Sequence, residues 1–169
     1  MSHEQPIVIT AGPRFRRFAT SALAAQAIII NQAQQVLLLF SPRKQSWQVV
    51  SGALEAGETL LDGTLREVYE ELGNAIRVRP LGTVHMETFH YDEQVHYMLS
   101  SYYLFEYQGG AIVPGDDMIG SEYRWWRMTD IDAAGIDFHP TTKPWILKRA
   151  VQLYELWQTE PNLPLQETL

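Results

Sequence analysis

The sequence predicts an α/β fold in layers, a mixed sheet with helices on its faces. Three observations carry that expectation. β-branched and Leu-rich runs fill 22–40, two long apolar stretches follow at 76–90 and 94–107, and helix-forming segments lie between these strand groups and at the end of the chain.

In chain order, Ile7 to Thr10 reads as a short outer strand, broken by Ala11, Gly12 and Pro13 ahead of a basic patch that runs to Arg17. Ala22 to Ile30 and Val36 to Phe40 read as a hairpin turning at Asn31 to Gln35, because apolar runs flank a polar break. Trp47 to Ser51 is a third short strand. Thr59 to Leu72 has no Gly or Pro after Gly63, and Gly73 stands where a glycine C-cap is favoured, so this is a helix. Ile76 to His90 and Gln94 to Tyr107 are strands joined by a turn at Tyr91 to Glu93. Pro114 to Ser121 is a loop before a strand at Tyr123 to Met128. Ile146, Ala150, Leu153, Tyr154 and Trp157 recur at helical spacing and predict an amphipathic helix over Lys143 to Trp157. The expected organisation is one domain over 1–169, with 1–20 as an N-terminal arm and 158–169 as a loose tail.

With 169 residues, 46% of them hydrophobic, the chain suits one core burying about two-thirds of its unfolded surface. Twenty acidic against thirteen basic residues give a formal charge of −7, which repels duplex nucleic acid and requires local cations for any phosphate ligand. Absence of cysteine excludes a disulfide framework, a thiolate nucleophile and Cys-based metal sites, and fits a cytoplasmic location. The most apolar window, 22–40, is interrupted by Gln26, Asn31, Gln32, Gln34 and Gln35, so no membrane crossing is expected there. No signal-like apolar stretch occurs in 1–20.

The chemistry concentrates in 52–74. At about 100° per residue, Glu67, Glu70 and Glu71 share an arc of about 100°, while Leu61, Leu65, Val68 and Leu72 cluster roughly opposite. The apolar stripe fixes the helix on the core and leaves three carboxylates on one face. Like charges this close raise one another's pKa unless a cation joins them, and a hard divalent metal resolves the conflict. Mg²⁺ and Mn²⁺ prefer oxygen ligands, and Mg²⁺ is commonly held by a few carboxylates together with substrate phosphates. Most Glu-rich helix faces are merely solvated. Here, however, seven fixed identities recur at fixed spacing, a coincidence expected in about one random chain of this length in a million. Gly52, Gly57, Glu58 and Thr59 also outline a phosphate-cradling P-loop, but Glu58 stands where that motif needs Lys and would repel phosphate. His85, His90 and His96 lack metal-ligand spacing and read as structural or surface residues.

The pattern Gly52-x5-Glu58-x7-Arg66-Glu67-Val68-x-Glu70-Glu71-x-Gly73 resembles the Nudix box, which ends on one further apolar residue where this chain has Asn74. The resemblance implies a Nudix-type α/β/α sandwich with a mixed β-sheet between helices, and hydrolysis of a nucleoside diphosphate linked to another group X with Mg²⁺ or Mn²⁺ as cofactor. It implies that Glu67, Glu70 and Glu71 bind metal, that the Gly52 carbonyl adds a ligand, that Arg66 orients a glutamate, and that Glu58 holds the loop against the helix. Metals in such a site neutralise phosphate oxygens and acidify water for attack on phosphorus.

Family members often supply a further carboxylate from outside the box. Glu122, just before the Trp-bearing strand, is the expected fourth ligand or base, with Asp116, Asp117 and Glu87 in reserve. Arg43 and Lys44 are candidates for phosphate contacts and Trp47 for stacking on a base or for packing the core. Arg14, Arg16 and Arg17 either close over a ligand or form a solvated arm. The expected partner is a small-molecule nucleotide, not duplex nucleic acid or a membrane, with a homodimer left open. The first expectation is conversion of a nucleoside triphosphate to monophosphate and pyrophosphate. The alternatives are a dinucleoside polyphosphate, nucleotide-sugar or ADP-ribose hydrolase, and, outside enzymes, a nucleotide-sensing module of the same fold.

Overall fold

The structure is a computed structural model that describes residues 8–11, 13–19, 21–93, 95 and 97–160. Its sheet strands are β3 (Ala22–Ile30), β4 (Val36–Ser41), β5 (Ser46–Gln48), β6 (Val50–Ala53), β7 (Arg77–Phe89), β8 (Met98–Gly109) and β9 (Glu122–Trp126). They form a seven-stranded sheet in the order β5-β4-β3-β8-β7, with β6 added to β3 and β9 to β4. Only the β3–β8 pairing is parallel, so the sheet is mixed. Before it, β1 (Val8–Ala11) and β2 (Arg16–Ala19) pair with each other as a separate antiparallel ribbon.

Alternation along the central strands sends side chains to two cores. Ala27, Ile29, Leu37, Leu39, Tyr103 and Phe105 face α1 (Leu60–Leu72), meeting Leu61, Val68 and Leu72. Ile28, Ile30, Val36, Leu38, Tyr102 and Leu104 face α2 (Met128–Ala134) and α3 (Pro144–Thr159), meeting Ile131, Ile146, Leu147, Ala150 and Tyr154. Each of these larger side chains contributes about 1.5–3 kcal/mol by burial. β3 and β4 are buried on both faces, hence their unbroken apolar runs. Among the described residues no helix is long and apolar enough to cross a membrane.

Several expectations needed correction. The 22–40 hairpin is a hairpin only at its tip. Asn31 Oδ1 accepts from Ala33 N and Gln35 N at 3.0 and 3.1 Å and closes the turn, but Ile30–Val36 is the one paired register before the strands splay. β6 takes the vacated edge of β3. The single strand expected at 47–51 is therefore two, β5 on β4 and β6 on β3, broken at Val49, whose N–H donates to Thr142 Oγ1 at 3.2 Å. β2 arises where a basic patch was expected, and α2 begins at Met128 where a strand was to end. α3 runs to Thr159, so the expected tail begins later, and 161–169 lie outside the described residues, as do 1–7, 12 and 20 of the expected arm.

α1 starts where Thr59 Oγ1 accepts from Asp62 N at 3.2 Å and ends where Gly73, at φ 85°, donates its N–H to Tyr69 O at 2.9 Å. Asn74 is exposed, and Ile76 supplies the buried apolar contact two residues later. The segment after β8 then returns to the helix end. Val113 N donates to Leu72 O at 2.9 Å and Gly115 N to Glu71 O at 3.1 Å, giving partners to carbonyls that a helix leaves unpaired.

Candidate active site

β6 ends beside the middle of α1, and Gly52 is the point of contact. A β-carbon at Gly52 would overlap the Glu67 carboxyl carbon and both its oxygens, so the carboxyl keeps this position only against glycine. Ser51, one residue earlier, donates its N–H to Glu71 Oε1 at 3.3 Å.

Arg66 organises the box. Its Nε donates to Glu58 Oε1 at 2.7 Å, Nη1 to Glu67 Oε1 and Glu70 Oε2 at 2.8 Å each, and Nη2 to Ala53 O and Glu58 Oε2 at 2.9 and 3.1 Å. All five guanidinium hydrogens are thus engaged, tying the loop to the helix. Glu58 also accepts from Glu55 N at 2.8 Å. The Arg66 hydrogen bond, then that of Glu55 N, holds the Glu58 carboxyl below its usual range, and the same pair with Glu58 keeps Arg66 firmly protonated.

Burial acts on two of the box carboxylates, on Glu71 more than on Glu67. Burial raises Glu67, with Arg66 opposing the rise. Glu71 is only 3% exposed, and its Oε2 has no hydrogen-bond partner. Burial, with Glu67 and Asp117 adding to it against Ser51 N and Lys44, pushes its pKa up to about 8. A buried carboxylate oxygen without a donor is a cost that a cation relieves.

The three glutamates share a face, but among the described residues no group of three or more His, Asp or Glu side chains converges on one cation position. Arg66 Nη1 draws one oxygen each from Glu67 and Glu70, leaving the second oxygen of each outside that contact. The donor set nonetheless fits a hard divalent ion. It is all oxygen, it includes the unpartnered Glu71 Oε2, and Gly52 brings a backbone with no side chain against Glu67.

Two turns flank Glu71. The β4–β5 turn, 42–45, carries Arg43 and Lys44, and a single 3₁₀ turn, Asp116–Met118, packs against α1. Arg43 Nη2 meets Asp117 Oδ1 at 3.0 Å. Lys44 Nζ donates to Gln48 Oε1 at 3.3 Å, and Gln48 Nε2 donates to Met118 Sδ at 3.8 Å. Asp117, one of the reserve carboxylates, is therefore the one whose charge reaches Glu71.

The remaining candidates sit elsewhere. Glu122 pairs in register with Phe40, whose ring meets Trp47 of the core facing α3, so its side chain belongs to the sheet face opposite α1. It is largely exposed and accepts from Arg124 Nη2 at 3.2 Å. Trp47 is half-buried against the core facing α3, edge-on to Phe40 and Trp126 with ring centroids 5.5 and 5.3 Å away. Glu87 also lies away from the box. It accepts from Lys143 Nζ at 2.6 Å and from Tyr102 OH at 2.9 Å, and although burial raises it, these bonds together hold it below the usual carboxylate range. His85 packs edge-on to Trp145 at 4.8 Å, and His96 lies outside the described residues. Arg14 is exposed in the β1–β2 turn, and Arg16 and Arg17 lie on β2.

Asp116 adopts φ 45°, a left-handed conformation that Asp tolerates better than most residues, at the start of the turn that packs on α1.

Comparison with known proteins bears on this arrangement. The family model described as "NUDIX domain" matches residues 20–147. Over 46 residues the chain is 44% identical to an RNA pyrophosphohydrolase of Ruthia magnifica subsp. Calyptogena magnifica, a match spanning 27% of this chain and about a quarter, 26%, of that relative. Two solved structures share the fold. An ADP-ribose pyrophosphatase from Streptococcus suis 89-1591 superposes with TM-score 0.63 at 16% identity, covering 80% of this chain and 92% of its own. A MutT protein from Methanosarcina mazei Go1 gives TM-score 0.63 at 21% identity, covering 80% and 96%.

Proposed function

The chain belongs to the Nudix hydrolase family, and on that premise we propose that it cleaves the diphosphate linkage of a small nucleotide, converting a nucleoside triphosphate to monophosphate and pyrophosphate. The observation that carries the reading is Glu71, buried with one oxygen unpartnered, beside a glycine that admits Glu67 to within van der Waals contact of the backbone. A helix built only for stability would not bury a carboxylate unpaired. The names of the relatives, all but the MutT protein stating pyrophosphate-bond hydrolysis, support the bond class.

In this reading Glu67, Glu70, Glu71 and the Gly52 carbonyl hold Mg²⁺ or Mn²⁺, which supplies Lewis acidity toward phosphate oxygens and water. Arg66 fixes Glu67 and Glu70 and keeps the 54–58 loop against α1. Arg43 and Lys44 meet phosphate charge that the carboxylate face would otherwise repel. Asp117, rather than Glu122, is the outer carboxylate available to take a proton, because it shares the α1 face of the sheet with Glu71. The cytoplasmic placement belongs to the same proposal and rests on the absence of cysteine.

The test is a panel of nucleoside triphosphates, dinucleoside polyphosphates, nucleotide sugars and ADP-ribose, with products identified in ¹⁸O-labelled water. Label in a phosphoryl product and poor turnover of monoesters are expected. Rapid hydrolysis of simple monoesters with no activity on any diphosphate would overturn the proposal.

A further inference from the structure

Arg43 and Asp117 lie 74 positions apart by number and on two different turns, yet they meet at 3.0 Å, and the second turn hangs on the Glu71 carbonyl through Gly115 N. Both turns are braced by their own hydrogen bonds. Gln45 N donates to Ser41 O at 2.8 Å and Lys44 N to Ser41 Oγ at 3.2 Å in the first. Met118 N donates to Gly115 O at 2.8 Å in the second, and Gly115 is held on the Glu71 carbonyl. The backbones are therefore set, and the two side chains, 71% and 59% exposed, are the parts free to change partner. An exposed carboxylate is a weak competitor for a guanidinium, whereas a diphosphate offers more charge and paired oxygens.

We propose that the Arg43–Asp117 ion pair is exchanged on substrate binding: the diphosphate of the substrate takes Arg43, and Asp117 is released toward Glu71. This rests on the diphosphate reading above and extends it, because it makes Asp117 a competitor of the substrate before it becomes a neighbour of the reaction. One arginine thereby couples phosphate recognition to the freeing of a carboxylate. Asp117 costs affinity in the resting protein, and that cost passes through Arg43.

The experiment measures inorganic pyrophosphate binding by calorimetry on protein in excess Mg²⁺, with wild type, Arg43→Ala, Asp117→Asn and the double variant. Both positions are exposed, and thermal melts verify folding. Arg43→Ala is expected to weaken binding about tenfold, and Asp117→Asn to tighten it about three- to fivefold. On the Arg43→Ala background the tightening should disappear, as coupled neighbours are non-additive. Equal tightening in both backgrounds would mean that Asp117 acts only by general repulsion and would overturn the exchange. So would unchanged or weaker binding in Asp117→Asn, indifference to Arg43→Ala, or no binding by wild type. Wild-type turnover of the nucleotide panel with Mg²⁺ reads the diphosphate function separately, so either can fail alone.

Discussion

Gly52 and Glu67 compete for one space: the place of a Gly52 β-carbon is already filled by the Glu67 carboxyl group. Gly52→Ala must therefore push Glu67 off Arg66 or shift β6. Turnover is expected to fall at least about tenfold, a barrier rise of roughly 1.4 kcal/mol or more, with a melting temperature lower by a few degrees. Steady-state kinetics beside a melt check this, and a wild-type rate would show the contact to be irrelevant to the chemistry.

Glu67→Gln, Glu70→Gln and Glu71→Gln keep side-chain size and weaken cation binding. Each should lower kcat at least about tenfold while the protein stays folded. If all three kept wild-type rates with unchanged melts, the site would have to lie elsewhere.

Chelation should abolish turnover yet leave the fold. α1 is held by Leu61, Val68 and Leu72, which are buried without any ion. Far-UV circular dichroism in excess EDTA should match the untreated protein; full turnover in EDTA would sink the metal-dependent reading.

Glu71 gives the metal-free protein a pH dependence of definite sign. Its folded pKa, about 8, lies above the ordinary 4.5. Between those values the native state keeps a proton that the unfolded chain has lost, so stability is full below about 4.5 and declines as pH rises toward 8. Burial of Glu67 acts in the same direction. Melting temperatures of chelated wild type should fall from pH 5 to pH 8, and Glu71→Gln should flatten the slope. Identical slopes in the two proteins would refute the assignment to Glu71.

Glu87, a reserve ligand by sequence, should behave as a structural residue. Glu87→Gln weakens its bonds to Lys143 and Tyr102 and should cost about 1–2 kcal/mol of stability, with kcat within about threefold of wild type. Denaturant titration and kinetics together decide it, and a large kcat loss with unaltered stability would restore Glu87 to the reaction.

The sequence by itself determined what local spacing encodes. Thr59 and Gly73 bound the helix, the 3.6-residue repeat put Leu61, Val68 and Leu72 on one side, and the same repeat put Glu67, Glu70 and Glu71 on another. The long strands were legible for the same reason, since their apolar runs need no distant information. What only the tertiary structure decided were relations between segments far apart in the chain. Whether 47–51 is one strand or two depends on which neighbours β3 and β4 accept. Which face of the sheet Glu122 takes depends on the register of β9 against β4: pairing Glu122 with Phe40 sends its side chain to the α3 face, and a slip of one residue would reverse that. The 116–118 turn packs on α1 because Gly115 hydrogen-bonds the carbonyl of Glu71 itself. A period of two or 3.6 residues fixes a side chain's direction within its own element, whereas the face and the neighbour it finds are fixed only when the elements pack.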